Sequence, residues 1–151
     1  LDGIFHEISY RAVIRYNTCQ RNGVVSPEPG WVTGAGITVN SSPDVEVYEN
    51  TLVNNFNGIG GIQTPRGSGK YGPYLLQNFN VHHNTVTMTV GHTGIVQYGD
   101  MFAVYTSQNN RFTNNTYHLG SKSTYFTWSV FAVNENGWRG YGNDVRGTFS
   151  R

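Results

Sequence analysis

The chain repeats one short pattern four times, and this repeat constrains the fold more than any other feature of the sequence. An Asn–Thr pair begins at Asn17, Asn50, Asn84 and Asn115, with spacings of 33, 34 and 31 residues. In every copy one apolar residue lies three positions before the Asn and another lies two positions after it. A repeat of this length is typical of solenoid proteins, in which each unit buries its apolar face against the next unit.

The repeated units are predicted to consist of β-strands. Apolar and polar residues alternate on both sides of each Asn, which is the period of a strand and not of a helix. A Gly–Ile pair precedes the Asn in every unit, starting at Gly3, Gly36, Gly61 and Gly94. The distance from this pair to the Asn is longer in the last two units, so the extra residues enter at one corner. The sequence therefore predicts an all-β chain that forms a parallel β-helix of about five coils.

The repeated Asn is predicted to lie inside the turn that joins two strands. An inward Asn can bond backbone groups that the turn leaves unpaired, and stacked copies can bond one another. The alternative is that Asn marks four unrelated turns. Cys19 occupies the same column as Leu52, Val86 and Tyr117, so it is predicted to be a buried apolar residue and not a nucleophile.

Composition limits the classes of partner. Charged residues make up 13% of the chain and the net charge is +1, which gives no electrostatic footprint for nucleic acid or an anionic membrane. No stretch approaches the roughly 18 apolar residues of a membrane span. The sequence thus predicts neither nucleic acid nor membrane as a partner, and no cofactor. It also predicts no metal site, because His82 and His83 lack a third ligand at a suitable spacing and no acidic cluster could hold calcium.

The two ends of the chain are predicted to differ. Leu1 to Ile8 already has the pattern of a strand with no cap before it. We therefore expect upstream coils that this chain lacks, and self-association through the uncapped N-terminal coil. Residues 121–151 are predicted to supply a last aromatic-rich strand, over Tyr125 to Phe131, and a C-terminal cap, so we expect the natural C-terminus to be present. The whole chain, 1–151, is interpreted as one domain, the C-terminal portion of a longer solenoid.

Two loops are predicted to project from the stack of coils. The first spans Val24 to Gly34 and contains Pro27, Pro29 and Trp31. The second spans residues 65–74 and is rich in Gly, Pro, Tyr and cationic residues. Loops that carry such residues on a rigid scaffold often carry function, so the second loop is the best candidate for a functional loop.

The repeats, together with Trp138, Gly142 and Asp144, resemble the right-handed parallel β-helix superfamily, the pectate-lyase-like proteins. The chain is most similar to the secreted bacterial right-handed β-helix repeat proteins, and the resemblance covers nearly its whole length. It implies a right-handed solenoid and a secreted or cell-surface location in a bacterium. It is weak for function, because the superfamily includes polysaccharide lyases, hydrolases, epimerases, tailspikes, adhesins and carbohydrate-binding modules.

A binding face is predicted on the sheet that contains the Gly–Ile pairs. The residues predicted to point inward are Ile4, Ile37, Ile62 and Ile95. Alternation then places on the outer face Phe5, Glu7, Thr38, Asn40, Gln63 and Tyr98. With coils about 4.8 Å apart, this face would be roughly 25 Å long and could hold an extended glycan. The predicted ligand-binding residues on this face and its rim are Glu7, Asn40, Gln63, Arg66, Lys70, Tyr98 and Asp100, since polar groups and aromatic rings suit sugars.

No catalytic residue can be assigned from the sequence. Glycoside hydrolysis needs two carboxyl groups about 5 to 9 Å apart, whereas Glu7 and Asp100 are separated by three coils, roughly 14 Å. Arg66 and Lys70 could act as the base of a lyase. His6 alternates inward and is predicted to be a core histidine with its hydrogen bonds satisfied.

Three functions remain open at this point. We favour a carbohydrate-binding domain that recognises an extended polysaccharide. The first alternative is a carbohydrate-active enzyme, a polysaccharide lyase or glycoside hydrolase, with part of its active site on missing coils. The second alternative is a structural or attachment solenoid.

Overall fold

The chain forms a parallel β-solenoid of about four turns in the computed structural model, which describes residues 1–27, 30–129 and 131–151. The predicted all-β class is confirmed, since helix accounts for 7%. No helix among the described residues is long and apolar enough to cross a membrane. The strands are β1 (Ile4–Glu7), β2 (Ala12–Arg15), β3 (Thr18–Gln20), β4 (Ala35–Asn40), β5 (Val45–Tyr48), β6 (Thr51–Val53), β7 (Asn57–Gln63), β8 (Ser68–Gly69), β9 (Gly72–Pro73), β10 (Asn80–His82), β11 (Thr85–Met88), β12 (Thr93–Gln97), β13 (Arg111–Thr113), β14 (Thr116–Leu119), β15 (Phe126–Trp128), β16 (Phe131–Val133) and β17 (Thr148–Ser150).

Three sheets form the walls of the solenoid. Sheet A has the order β1-β4-β7-β12-β15-β16, sheet B the order β13-β10-β5-β2, and sheet C the order β17-β14-β11-β6-β3. Neighbouring strands pair in parallel except β15 and β16. Each turn of the chain thus visits sheets A, B and C in that order, and β8 and β9 form a separate antiparallel hairpin.

The corner between sheets B and C contains the asparagine ladder that the repeat predicts. Asn50 Oδ1 accepts hydrogen bonds from the backbone N–H and the Nδ2 of Asn17, both at 3.0 Å. Asn50 Nδ2 donates to the carbonyl of Ile14 at 2.9 Å and to Asn84 Oδ1 at 2.9 Å. Asn84 bonds Asn115 in the same way. The alternative of four unrelated turns is therefore wrong.

The residue before each ladder Asn has a left-handed backbone. The φ angles are 58° at Tyr16, 52° at Glu49, 54° at His83 and 56° at Asn114. Left-handed φ disfavours residues with a Cβ. The hydrogen bonds of the ladder Asn in each turn offset the cost of the left-handed backbone. Because these bonds need the same corner geometry in every turn, the corner repeats without insertions.

Asp144 ends the ladder. Its side chain is fully buried, and Oδ1 accepts from the backbone N–H of Asn115 at 2.9 Å and from its Nδ2 at 3.0 Å. Oδ2 accepts from the Tyr117 hydroxyl at 2.8 Å and from Trp138 Nε1 at 3.0 Å. Burial, followed by the charge of Asp144, raises the pKa of the Tyr117 phenol well above its ordinary value. A carboxylate can end the ladder because it accepts on both oxygens and needs no partner beyond it.

The helix α1 (Glu135–Gly140) covers the last turn of the core. Its fully buried Trp138 stacks on Phe126 with ring centroids 4.9 Å apart and meets Phe112 at 5.0 Å. The predicted single strand over Tyr125 to Phe131 is instead two antiparallel strands, β15 and β16, with Ser129 at φ 66° between them. Val130 lies outside the described residues.

The column of Cys19 is buried as predicted. Cys19 pairs with Leu52, which continues through Val86 to Tyr117, and all four side chains belong to one core cluster. Burial raises the pKa of the Cys19 thiol, so the reactive thiolate is disfavoured.

The predicted alignment of the Gly–Ile pairs is wrong in the later units. Ile37 pairs with Ile4 on one side and with Ile59 on the other, so Ile59 holds the place predicted for Ile62. Ile62 pairs with Asn40 and lies on the outer side of the sheet. Ile95 does point into the core, but it pairs with Gly61. It therefore lies two residues beyond the column that contains Ile37 and Ile59. Strand β7 contains two Gly–Ile pairs on opposite faces, and local pattern does not distinguish them.

The loop predicted to project over Val24 to Gly34 packs in part against sheet A. Val32 is 1% exposed, and a Cβ placed on Gly60 would lie 2.7 Å from the Val32 Cβ. The loop can therefore approach β7 this closely only because Gly60 has no side chain. Glu28 and Pro29 lie outside the described residues.

Candidate functional site

Both long insertions leave the solenoid at the corner between sheets A and B. They span residues 64–79 and 98–110, and the second includes a short 3₁₀ helix (Phe102–Tyr105). The β8–β9 hairpin of the first insertion folds back to the first turn, where the Tyr10 hydroxyl donates to the Gly72 carbonyl at 2.6 Å. The Tyr10 ring also packs against Tyr74 at 5.1 Å and Tyr71 at 5.4 Å. The insertion of the third turn therefore reaches across the second turn and is held by the first.

Three of the predicted site residues meet beside this hairpin. Arg66 Nη2 lies 3.1 Å from Glu7 Oε1, and Asn40 Nδ2 donates to the same oxygen at 3.0 Å. Arg66 Nε donates to Thr64 Oγ1 at 2.9 Å, which fixes the guanidinium. Both bonds to Glu7 fall on Oε1, so within the described residues the hydrogen bonds leave Oε2 to accept from a ligand. The side chains of Arg66 and Glu7 are 40% and 32% exposed, so a ligand can reach both.

The predicted exposure of Thr38, Asn40 and Gln63 is wrong, since their exposed fractions are 0%, 5% and 0%. The register shift in β7 turns Gln63 inward, where Oε1 accepts from the backbone N–H of Leu76 at 2.5 Å. Thr38 does lie on the outer side of sheet A, as predicted, but other segments cover it there. Its hydroxyl hydrogen-bonds with Asp2 Oδ1 and the carbonyl of Val32.

Sheet A is thus closed over its central strands. Every residue of β4 and β7 is buried. The continuous 25 Å face expected from the sequence is therefore interrupted, and Phe5 and Glu7 on β1 remain accessible at one end.

The other three predicted residues lie on the surface of the insertions. Tyr98 is 67% exposed, and its backbone N–H donates to the Gln63 carbonyl at 2.9 Å. Lys70 Nζ lies 5.2 Å from the centre of the Tyr71 ring, at the tip of the hairpin. Asp100 is exposed and has φ 58°. Whether any of the seven predicted residues binds a ligand stays a prediction.

Sequence reasoning missed two residues that belong to this surface. Tyr71 is 64% exposed and has two cations near its ring, since Arg11 Cζ lies 5.8 Å and Lys70 Nζ lies 5.2 Å from the ring centre. Tyr71 was within the predicted functional loop and could have been chosen as an exposed aromatic residue. Arg11 is 60 residues away from it and gave no signal, because only the folded hairpin brings the two together.

A second polar strip follows the outer side of sheet B. Arg15 Nη1 donates to the Tyr48 hydroxyl at 2.8 Å, and the Tyr48 ring stacks on His82 with centroids 5.0 Å apart. His82 Nε2 lies 2.9 Å from Glu46 Oε1. Arg15, Tyr48 and His82 share a column of the repeat, while Glu46 lies two residues before Tyr48 on β5. Their contacts satisfy one another along the stack. They form a network that is already paired and not an open binding site.

His6 differs from the prediction in its hydrogen bonding. It pairs with Val39 on the inward side, but its Nε2 is buried without a hydrogen-bond partner. Burial lowers the pKa of His6, so the neutral imidazole is favoured. Among the described residues, no group of three or more His, Cys, Asp and Glu side chains could hold a metal ion.

No protein-family model, no curated protein and no solved structure matches this chain. The function is therefore inferred from the fold and from the geometry of its surface.

Proposed function

We propose that this chain is a carbohydrate-binding domain that recognises an extended polysaccharide at the corner between sheets A and B. The observation that carries the proposal is the half-exposed Glu7–Arg66 pair, held in place by Asn40 and Thr64. Sugar hydroxyls both donate and accept, and here a carboxylate oxygen and a guanidinium lie side by side to meet them. Groups that are already ordered lose little side-chain entropy when a ligand binds.

Exposed aromatic rings supply the apolar part of this surface. Tyr71 and Tyr98 are 64% and 67% exposed, one on each insertion, and the C–H faces of sugar rings pack on such rings. Lys70 and Asp100 add a hydrogen-bond donor and an acceptor on the same insertions. Asn40 and Gln63, which are buried, would act by supporting Glu7 and the insertion backbone and not by touching the sugar.

The proposed setting of the protein rests on the resemblance of its repeats. A right-handed, pectate-lyase-like solenoid of a bacterium, secreted or at the cell surface, would meet polysaccharides there. Nucleic acid and membrane lipid are not part of the proposal. Self-association is part of the proposal, because the edge strands β1, β2 and β3 lie at the same end of the three sheets and present unpaired backbone groups.

The test is a glycan array, followed by affinity measurement for the polysaccharides that bind. We expect Arg66→Ala and Tyr98→Ala each to weaken binding by about tenfold or more. The matched control is Arg111→Ala, which removes an exposed arginine of sheet B whose side chain bonds only Asn80 in the hydrogen bonds described. If both site variants bind as tightly as the wild type, the site lies elsewhere.

The same polysaccharides separate the proposal from its alternatives. Incubation with the protein should release neither reducing ends nor unsaturated products. Product formation would show a carbohydrate-active enzyme instead of a binding domain. Failure of every glycan to bind would favour a structural or attachment solenoid.

A further inference from the structure

A small pocket opens at the opposite corner, between sheets C and A. Its volume is about 140 Å³, and its lining residues are Gly30, Trp31, Phe56, Asn57, Gly91, His92 and Lys122. These residues come from successive turns and lie in the loops that precede the strands of sheet A, except Asn57, which is the first residue of β7. Strand β7 runs from this corner to the Glu7 corner, so the two sites are separated by about 20 Å.

The walls of the pocket are tied together by Asn57. Its Nδ2 donates to the carbonyl of Trp31 at 3.1 Å, and its Oδ1 accepts from the backbone N–H of His92 at 2.7 Å. Gly91 has φ 65°, and a Cβ there would lie 1.7 Å from the Phe56 carbonyl oxygen. Only glycine permits this approach, so the pocket has a defined shape before any ligand binds.

The pocket combines an aromatic face with polar groups that have bonding capacity left. Trp31 is 38% exposed. Lys122 Nζ donates one hydrogen bond, to the Gly91 carbonyl at 2.9 Å, and forms no ion pair among the described residues. Burial, followed by the charge of Lys122, lowers the pKa of His92, so its imidazole is neutral and offers one donor and one acceptor.

We propose that this pocket binds a single pyranose residue, stacked on the indole of Trp31 and hydrogen-bonded by Lys122 and His92. An indole face takes the C–H face of a sugar ring, while an ammonium and a neutral imidazole can bond its hydroxyls. A cavity of about 140 Å³ is smaller than the roughly 300 Å³ at which sites for larger ligands begin, so it suits one ring and not a chain. This second site is independent of the surface around Glu7 and Arg66.

Tryptophan fluorescence gives a direct readout of this pocket. Trp128 and Trp138 are 4% and 0% exposed, so acrylamide should quench mainly Trp31. We expect at least one sugar in a panel of neutral hexoses, N-acetylhexosamines and hexuronic acids to protect Trp31 from quenching and shift its emission to the blue. Protection by a hexuronic acid alone would indicate that its carboxylate pairs with Lys122. If no sugar in the panel protects Trp31 at saturating concentration, the proposal is wrong.

Calorimetry of variants then locates the binding site. For the sugar that protects Trp31, Trp31→Ala and Lys122→Gln should each weaken binding by about tenfold or more. Tyr98→Ala, at the other corner, should leave this affinity unchanged. Circular dichroism of Lys122→Gln should match the wild type, which excludes a folding defect. An unchanged affinity in Lys122→Gln, or an equal loss in Tyr98→Ala, would overturn the assignment.

Discussion

The two corners that flank sheet B are built on opposite principles. At the corner between sheets B and C, Asn17, Asn50, Asn84 and Asn115 stack without insertions and end on Asp144. At the corner between sheets A and B, the first two turns are short, and the next two carry a hairpin and a 3₁₀ helix. The first corner is nearly the same in every turn, while the second differs from turn to turn.

The difference follows from where each corner finds its hydrogen-bond partners. A ladder Asn is satisfied by the turn before it and the turn after it, so a change of length in one turn would leave buried groups unpaired in two others. The insertions are satisfied by side chains that are specific to one place, such as Tyr10 for Gly72 and Thr64 for Arg66. The hydrogen bonds of the ladder therefore restrict chain length and residue type at the corner between sheets B and C. The corner between sheets A and B can vary, so it can carry residues that recognise a ligand.

The largest effect on stability is expected at the end of the ladder. Asp144→Ala removes the acceptor of Asn115, Tyr117 and Trp138 in a fully buried place, which should lower the free energy of unfolding by about 3 to 5 kcal/mol. Denaturant unfolding measures this change. Asp144→Asn, which keeps Oδ1 for Asn115, should lose less. A loss below about 1 kcal/mol in Asp144→Ala would show that the ladder does not depend on its last member.

A middle position of the ladder should have a smaller effect. Asn50→Ala removes the partner of the Asn17 backbone N–H, which is partly buried, and of the buried Ile14 carbonyl, and we expect a loss of about 1 to 3 kcal/mol by the same measurement. The control is Asn80→Ala, since Asn80 is a strand residue on the outer side of sheet B and should change stability by less than about 0.5 kcal/mol. Equal effects of the two substitutions would remove the distinction between ladder and surface asparagines.

The smallest effect is expected at the insertion corner. Arg66→Ala breaks an ion pair whose partners are 40% and 32% exposed, so the free energy of unfolding should change by about 0.5 kcal/mol or less. Lys70→Ala, at the exposed hairpin tip, is the matched comparison and should behave alike. A loss above about 1 kcal/mol for Arg66→Ala would mean that this corner supports the core, contrary to the comparison of the two corners.

Some residues of the candidate site can be predicted from the sequence, and others cannot. The strand pattern and the loop composition predict Glu7, Asn40 and Arg66 as site residues, and the structure brings them into contact. Gln63 differs from its predicted place because β7 contains two Gly–Ile pairs, and the choice between them depends on pairing with Ile37 in the preceding turn. Tyr71 and Arg11 meet only after the hairpin folds back by two turns.

The sequence by itself determined the solenoid, the ladder and the buried columns, because the same residue types recur at fixed spacing and each unit needs the same partners as its neighbours. Asp144 lay outside that repeat, and its role as the last ladder member depends on where α1 places the chain. Only the tertiary structure decided which outer residues are covered, since the closure of sheet A by Val32 depends on the missing side chain of Gly60. It also decided the two candidate binding sites. Both combine residues of different turns, and contacts between distant segments leave no periodic trace in a single sequence.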